Sequence, residues 1–171
     1  MRIKHKTFAF VVMLFLYLQI CGFSWENTEA VTYDIPSNSG FKCYMDYRTI
    51  TDTESKQYKL QKECTTDEYG IRIYNDRYCI AVGTFCNAQI GQNIDLVLNN
   101  GAIIKCVVAD IKANKDTDNS NIFSQNGCCS EFIVDTDKIN TKISYTGNIS
   151  NMFDAWKYPV NTIIVYKGDC L

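Results

Sequence analysis

The chain has 171 residues, 17 basic and 19 acidic side chains, and one histidine, His5, which lies in an N-terminal segment that reads as a targeting sequence. The rest of the chain therefore offers no imidazole. That excludes Ser-His-Asp triads, Cys-His dyads and histidine-held zinc or iron. Carboxylates, a cysteine, lysine or tyrosine, or a carboxylate-held metal must carry any catalysis.

Met1 to Lys6 is basic, Thr7 to Gly22 is almost wholly apolar, and Gly22-Phe23-Ser24 offers small residues for cleavage. Residues 1–24 thus read as a secretory signal peptide, with an uncleaved membrane anchor as the alternative. Their removal takes away Arg2, Lys4 and Lys6 but no acid, leaving 14 basic against 19 acidic residues and a net charge of −5. Such a balance, without clustered cations, argues against nucleic acid as a partner and suits a neutral or cationic one such as a glycan. The expected location is secreted or cell-surface, with membrane contact only through an uncleaved N-terminal segment.

Apart from Cys21, eight cysteines are present: Cys43, Cys64, Cys79, Cys86, Cys106, Cys128, Cys129 and Cys170. An even number in an exported chain predicts disulfides, with the pairing open. Cys79-x6-Cys86 and Cys128-Cys129 do not have the Cys-x2-Cys spacing of a zinc site. Asp116-x-Asp118-x-Ser120 resembles the start of a calcium loop, yet Asn121 stands at the sixth position and Gly127 at the twelfth. Neither a metal nor another cofactor is expected.

Residues 25–70 read as an N-terminal extension with a short helix. Trp25 to Ser39 is polar, Phe41 to Thr51 suits a strand or strand-turn, and Ser55 to Glu63 suits a helix capped by Asp52 or Thr53. Residues 71–171 then supply short strands. Ile71 to Tyr74 alternates, Asn75-Asp76 turns into Tyr78 to Thr84, and Asn93 to Leu98 ends at Asn99-Asn100-Gly101. That last triplet predicts a type I′ hairpin turn into Ala102 to Ala109. Asp95 falls at a surface position of its hairpin strand. A long polar excursion, Asp110 to Gly127, precedes strands at Glu131 to Asp135 and Asn161 to Tyr166, with a helical turn at Asn151 to Trp156. The pattern is all-β with minor α. Tyr44, Tyr47, Tyr58, Tyr69, Tyr74 and Tyr78 suit core packing, with a glycan-stacking platform as the alternative.

From Arg77 to Asp137 the order of elements carries a resemblance. Ala81-Val82, Ile90-Gly91, Asn93 to Leu98, Val108-Ala109-Asp110 and Glu131 to Val134 resemble a double-psi β-barrel domain. The comparison is with the three-aspartate domains of Gram-positive exported proteins and the catalytic barrel of lytic transglycosylases. The resemblance implies a six-stranded double-psi β-barrel over 71–171 that cleaves peptidoglycan glycan strands without a cofactor. The chain departs from the pattern at Gly83, where the family has an aspartate. It also has Asp110-Ile111-Lys112-Ala113 for Asp-Thr-Gly-Gly, and Ser130-Glu131 for Ile-Asp. A second resemblance, to uncharacterised exported proteins of Gram-positive bacteria and their mobile elements, rests on Tyr44-Met-Asp-Tyr-Arg48, Lys115-Asp-Thr-Asp118 and Glu131-Phe-Ile-Val-Asp-Thr-Asp137.

Under this reading Asp110, following Val107-Val108-Ala109, is the acid/base, its pKa raised by an apolar setting. Glu131 or Asp135 is the second carboxylate. Asn114, Asn119 and Asn121 hydrogen-bond sugar hydroxyls. The competing expectation is a non-catalytic cell-surface module that binds glycan or protein, in which Asp110 only caps a turn.

Overall fold

A computed structural model describes residues 29–168, so the expected signal peptide or anchor, Cys21 and Cys170 lie outside the described residues. The strands are β1 (Ala30–Asp34), β2 (Cys43–Asp46), β3 (Thr65–Thr66), β4 (Arg72–Tyr74), β5 (Arg77–Val82), β6 (Asn93–Leu98), β7 (Ile103–Ile111), β8 (Ser130–Val134) and β9 (Val160–Tyr166). Helices α1 (Lys56–Glu63) and α2 (Thr141–Thr146) join them. The protein is mostly β with few helices, as the sequence predicts.

All nine strands belong to one sheet of order β1-β9-β6-β7-β5-β4-β3, with β8 branching from β5 and carrying β2. The sheet is open among the described strands. This replaces the expected closed, six-stranded outline. Residues before Ile71 are also woven into it, because β1 pairs with β9, β2 with β8 and β3 with β4.

Strand β5 explains the branching. Cys79, Ile80, Ala81 and Val82 are completely buried, so their backbone groups must find partners on both edges. Strand β7 runs parallel along one edge. The other edge is shared: β4 pairs with Arg77 and Tyr78, and β8 pairs with Ile80 to Val82, both antiparallel.

Turn chemistry differs from expectation in one place. Asn75 and Asp76 both have positive φ, 48° and 59°, as a two-residue type I′ turn requires. At the β6–β7 hairpin only Gly101 does (φ 82°). There the Gly101 N–H donates to Leu98 O at 2.8 Å and the Leu98 N–H to Ala102 O at 2.9 Å. The expected type I′ turn is thus a three-residue loop closed by a left-handed glycine.

Helix α1 starts one residue after the predicted Ser55, which is its cap in place of Asp52 or Thr53. Ser55 Oγ accepts from the Tyr58 N–H at 3.1 Å, while Asp52 caps the turn before it, accepting from Glu54. Leu60 enters the core. Arg72 holds the other end, donating to Gln61 Oε1 at 3.2 Å, Gln61 O at 2.5 Å and Thr66 Oγ1 at 2.8 Å.

Aromatic rings close the far side of the core. Trp156 stacks on Phe132 with centroids 5.6 Å apart and meets Phe153 at 4.2 Å and Tyr78 at 5.1 Å. Tyr69 meets Phe153 edge-on at 5.0 Å. Tyr69 and Tyr78 are therefore packing residues.

Asp95, expected at the surface, is 5% exposed. It forms an ion pair with Arg77 and accepts from the Tyr166 hydroxyl at 2.9 Å. Arg77 itself lies along the β6–β7 backbone, donating to Cys106 O at 2.7 Å, and it supplies the cation that buried Asp95 needs.

The phrases Tyr44 to Arg48 and Glu131 to Asp137 meet in space. Strands β2 and β8 run parallel in register from Cys43↔Glu131 to Asp46↔Val134. Beyond them the Asp46 carboxylate accepts from Arg48 Nε at 2.8 Å and the Thr136 N–H at 3.0 Å, and Arg48 also reaches Asp137. The Arg48 guanidinium holds the Asp46 carboxyl well below the usual carboxylate range.

Lys42 is 1% exposed, and its ammonium donates to three carbonyls: Gly40 at 3.0 Å, Trp156 at 2.7 Å and Tyr158 at 2.9 Å. Burial lowers its pKa from 10.5 to about 8. Lys42→Met strands those carbonyls and should cost about 1–3 kcal/mol near neutral pH. Because the folded pKa lies below the unfolded one, the folded state sheds this proton first. Wild-type stability should therefore rise relative to the variant as pH climbs from about 8 to 10.5, by at most about 3–4 kcal/mol. Urea melts of both proteins across that window check the slope. Parallel profiles would contradict it.

Candidate active site

Strand β7 leaves the core through a bulge. Ile80 pairs with Val108, but the next residue, Ala81, pairs with Asp110, so Ala109 is the extra residue. The Ile90-Gly91 turn braces the bulge from the other side. The Gly91 N–H donates to Val108 O at 2.8 Å, and the Val108 N–H donates to Gln92 O at 2.9 Å. On its other edge Ala81 pairs with Glu131.

Asp110 and Glu131 therefore flank Ala81 on the same face of the sheet, since directly paired residues share a face. Their backbones stand two strand spacings apart, about 9.5 Å. Both line a concavity of about 510 Å³, with Met45, Lys112, Asp116 and Asn126 among its walls. That volume suits a small-molecule or short-oligomer site, typically about 300–1,000 Å³.

The two carboxylates have different surroundings. Burial pushes the Asp110 carboxyl above its ordinary value, and the nearby Glu131 charge pushes the same way. A Gln57 amide from α1, donating to Asp110 Oδ1 at 3.4 Å, and the Lys112 charge oppose that rise. Glu131 is tied to Lys112 by an ion pair of 2.5 Å, both side chains largely buried. One carboxyl is biased toward its neutral form while the other holds a cation, which is the division of labour that acid/base chemistry needs.

Asp135 does not join them. It lies beyond the opposite end of β8, where its N–H donates to Gly70 O at 2.8 Å. Its carboxylate accepts from the Asp137 N–H at 3.2 Å and pairs with Lys138 at 3.7 Å. Nor do the three asparagines line the concavity. Asn114 Oδ1 accepts from the Thr84 hydroxyl at 2.7 Å, Asn119 is exposed, and left-handed Asn121 accepts from the Thr117 hydroxyl at 3.1 Å. Ser124, Gln125 and Asn126 supply the polar wall instead.

Asp118 spends its carboxylate on its own loop, accepting from the N–H groups of Ile122 at 2.8 Å and Phe123 at 3.1 Å. Cys43 and Cys128 adjoin the site. The Cys43 N–H donates to Cys128 Sγ at 3.1 Å, and the Cys43 thiol contacts Asn126 Oδ1 at 3.5 Å. Hydrogen bonding from Cys43 favours the Cys128 thiolate. A second concavity of about 400 Å³ includes Tyr47, Tyr58, Gln61 and Lys62 in its lining. Its tyrosines carry stacked cations: the Arg72 guanidinium lies 4.6 Å from the Tyr47 centroid and the Lys62 ammonium 5.4 Å from that of Tyr58.

Besides the polar wall of Ser124, Gln125 and Asn126, sequence reasoning missed Lys112 and Gln57. Lys112 carried a signal, because two residues after Asp110 on an extended strand its side chain returns to the same face. Gln57 carried none, since only the packing of α1 brings it to β7.

Gly83 ends β5 beneath the polar loop. A Cβ there would stand 1.9 Å from Asn121 O. Its φ of −72° is ordinary, so space alone demands glycine. The position where the double-psi families carry an aspartate has no room for a side chain here. Gly83→Ala should force the loop outward and cost about 1–3 kcal/mol. Thermal melts and limited proteolysis within residues 114–127 check this; an unshifted melting temperature with an equally resistant loop would contradict it.

Among the described residues, no group of three or more His, Cys, Asp or Glu side chains is arranged to hold a metal ion. No described helix is long and apolar enough to cross a membrane.

No family model matches the chain, and neither the curated proteins nor the solved structures include a significant match.

Proposed function

We propose that this is an exported protein that cleaves cell-wall glycan strands by acid/base catalysis at Asp110, in the manner of a lytic transglycosylase. The observation that carries the reading is the half-buried Asp110 carboxyl, raised in pKa, facing a concavity that it shares with Glu131. Protonated Asp110 gives its proton to the glycosidic oxygen as the C1–oxygen bond breaks. The resulting carboxylate then takes the proton of the sugar's C6 hydroxyl as that oxygen closes on C1. Glu131, oriented by Lys112, stabilises positive charge developing at the ring. Ser124, Gln125 and Asn126 offer hydrogen bonds to sugar hydroxyls. The reading includes a kinship of the β5–β8 region with double-psi barrels, supported by parallel β5/β7 beside antiparallel β5/β8.

A second reading, a non-catalytic cell-surface module that binds glycan or protein, is favoured by two observations. The Gly83 position is sealed, and Glu131 is engaged by Lys112.

Incubation with peptidoglycan separates the two. The wild type should release anhydro-muropeptides, detected by mass spectrometry, and Asp110→Asn should lower the rate at least ~100-fold. No release by the wild type while it sediments with the wall would leave the binding module. Stability supplies an independent check. A carboxyl whose folded pKa is raised contributes stability below its unfolded pKa and loses it as pH rises through the folded value. Asp110→Asn should therefore melt no lower than wild type at neutral pH, and higher relative to it there than in acid. A variant markedly less stable at neutral pH would mark Asp110 as a structural cap.

A further inference from the structure

Helix α1 ends at Cys64, and β5 carries Cys79 in its buried middle. Their sulfurs lie 3.4 Å apart. Closure to a bond of about 2.05 Å requires an approach of ~1.4 Å. All seven described cysteines are thiols, and this contact is unlike the surroundings of Cys86 and Cys106. Those two thiols donate to backbone carbonyls of their own segments, Gly83 O and Ile104 O.

We propose that Cys64 and Cys79 are a disulfide-forming pair, in which half-exposed Cys64 attacks an external disulfide and buried Cys79 resolves the intermediate. The proposal goes beyond the glycan-cleaving reading and does not depend on it. Three features beside the pair suit the chemistry. The Arg72 guanidinium, fixed by Gln61 and Thr66, favours negative charge on both sulfurs. Gln61 Nε2 is buried without an acceptor, and the Gln61 side chain favours the Cys79 thiolate. Hydrogen bonding from Cys79 holds the Cys64 thiol below its usual pKa, so Cys64 is the readier nucleophile.

The co-reactant is a disulfide RSSR, either a small-molecule disulfide or that of a thiol oxidoreductase. The Cys64 thiolate attacks one sulfur of RSSR, forming Cys64–S–SR and expelling RS⁻, which takes up the Cys64 proton. Cys79 then attacks the Cys64 sulfur, expelling the second RS⁻ with the Cys79 proton. The chain loses two protons and two electrons, and RSSR becomes two RSH. The new bond fastens the C-terminal end of α1 to β5, and α1 is the helix that brings Gln57 to Asp110.

The test uses the purified full chain, reduced, freed of reductant and exposed to oxidised glutathione. Free thiols are then alkylated, and the unreduced protein is digested and mapped by mass spectrometry. The expected first product is a Cys64–Cys79 linked peptide. Alkylation of Cys64 should fall at least tenfold and the melting temperature should rise by several degrees, both reversed by dithiothreitol. Cys79→Ser should instead accumulate a glutathione adduct on Cys64, while Cys64→Ser should form neither adduct nor link at these positions. Cys64 paired with another cysteine, or oxidation that leaves Cys64 alkylation unchanged, would overturn the proposal. A misfolded variant does not rescue it, because the wild-type peptide map decides alone.

Discussion

Complete burial of Cys79 to Val82 in β5 is the constraint on which the rest depends. A segment with no access to water must pair both edges, and one edge of β5 is divided between a hairpin partner and a returning strand. That division brings β8 within two strand spacings of β7. It also places Asp110 and Glu131 on either side of Ala81. The bulge at Ala109 completes the arrangement, since in a regular ladder Ala109 would stand opposite Ala81 and Asp110 would turn to the other face of the sheet.

Charges inside this molecule are paired or solvated by backbone. Lys42 gives its ammonium to three carbonyls, Arg77 and Asp95 answer each other, and Lys112 answers Glu131. Asp110 differs in balance. The Ile111 backbone, the Gln57 amide at 3.4 Å and the Lys112 charge favour its carboxylate, yet burial outweighs them and raises its pKa. Stability alone would favour asparagine there, whereas proton transfer favours aspartate.

The strands were legible because apolar β-branched runs are bounded by turn residues. Tyr78 to Thr84, Asn93 to Leu98, Ala102 to Ala109 and Glu131 to Asp135 fall within a residue or two of the observed β5, β6, β7 and β8. Asp110 was legible as the polar end of a buried strand. Less local features were not. Nothing near Asp95 in sequence announces that Arg77 folds over it, and the asparagines of the polar loop look alike until the loop closes on itself through Asp118. The open sheet was hidden because β1 and β3 arise from segments too short or too polar to read as strands, and nothing in Phe41 to Thr51 shows that β2 pairs with β8. Thiol pairing was equally hidden, because the sulfurs of Cys64 and Cys79 meet only once α1 has docked.

The central claim is that the fold holds the Asp110 carboxyl in a buried setting beside Glu131. Carbon-13 NMR titration of that carboxyl, in the wild type and in Glu131→Gln, tests it most directly. The account predicts a midpoint above the ordinary 3.8 of an aspartate, moving down when the Glu131 charge is removed. A midpoint at or below 3.8, indifferent to Glu131, would contradict it.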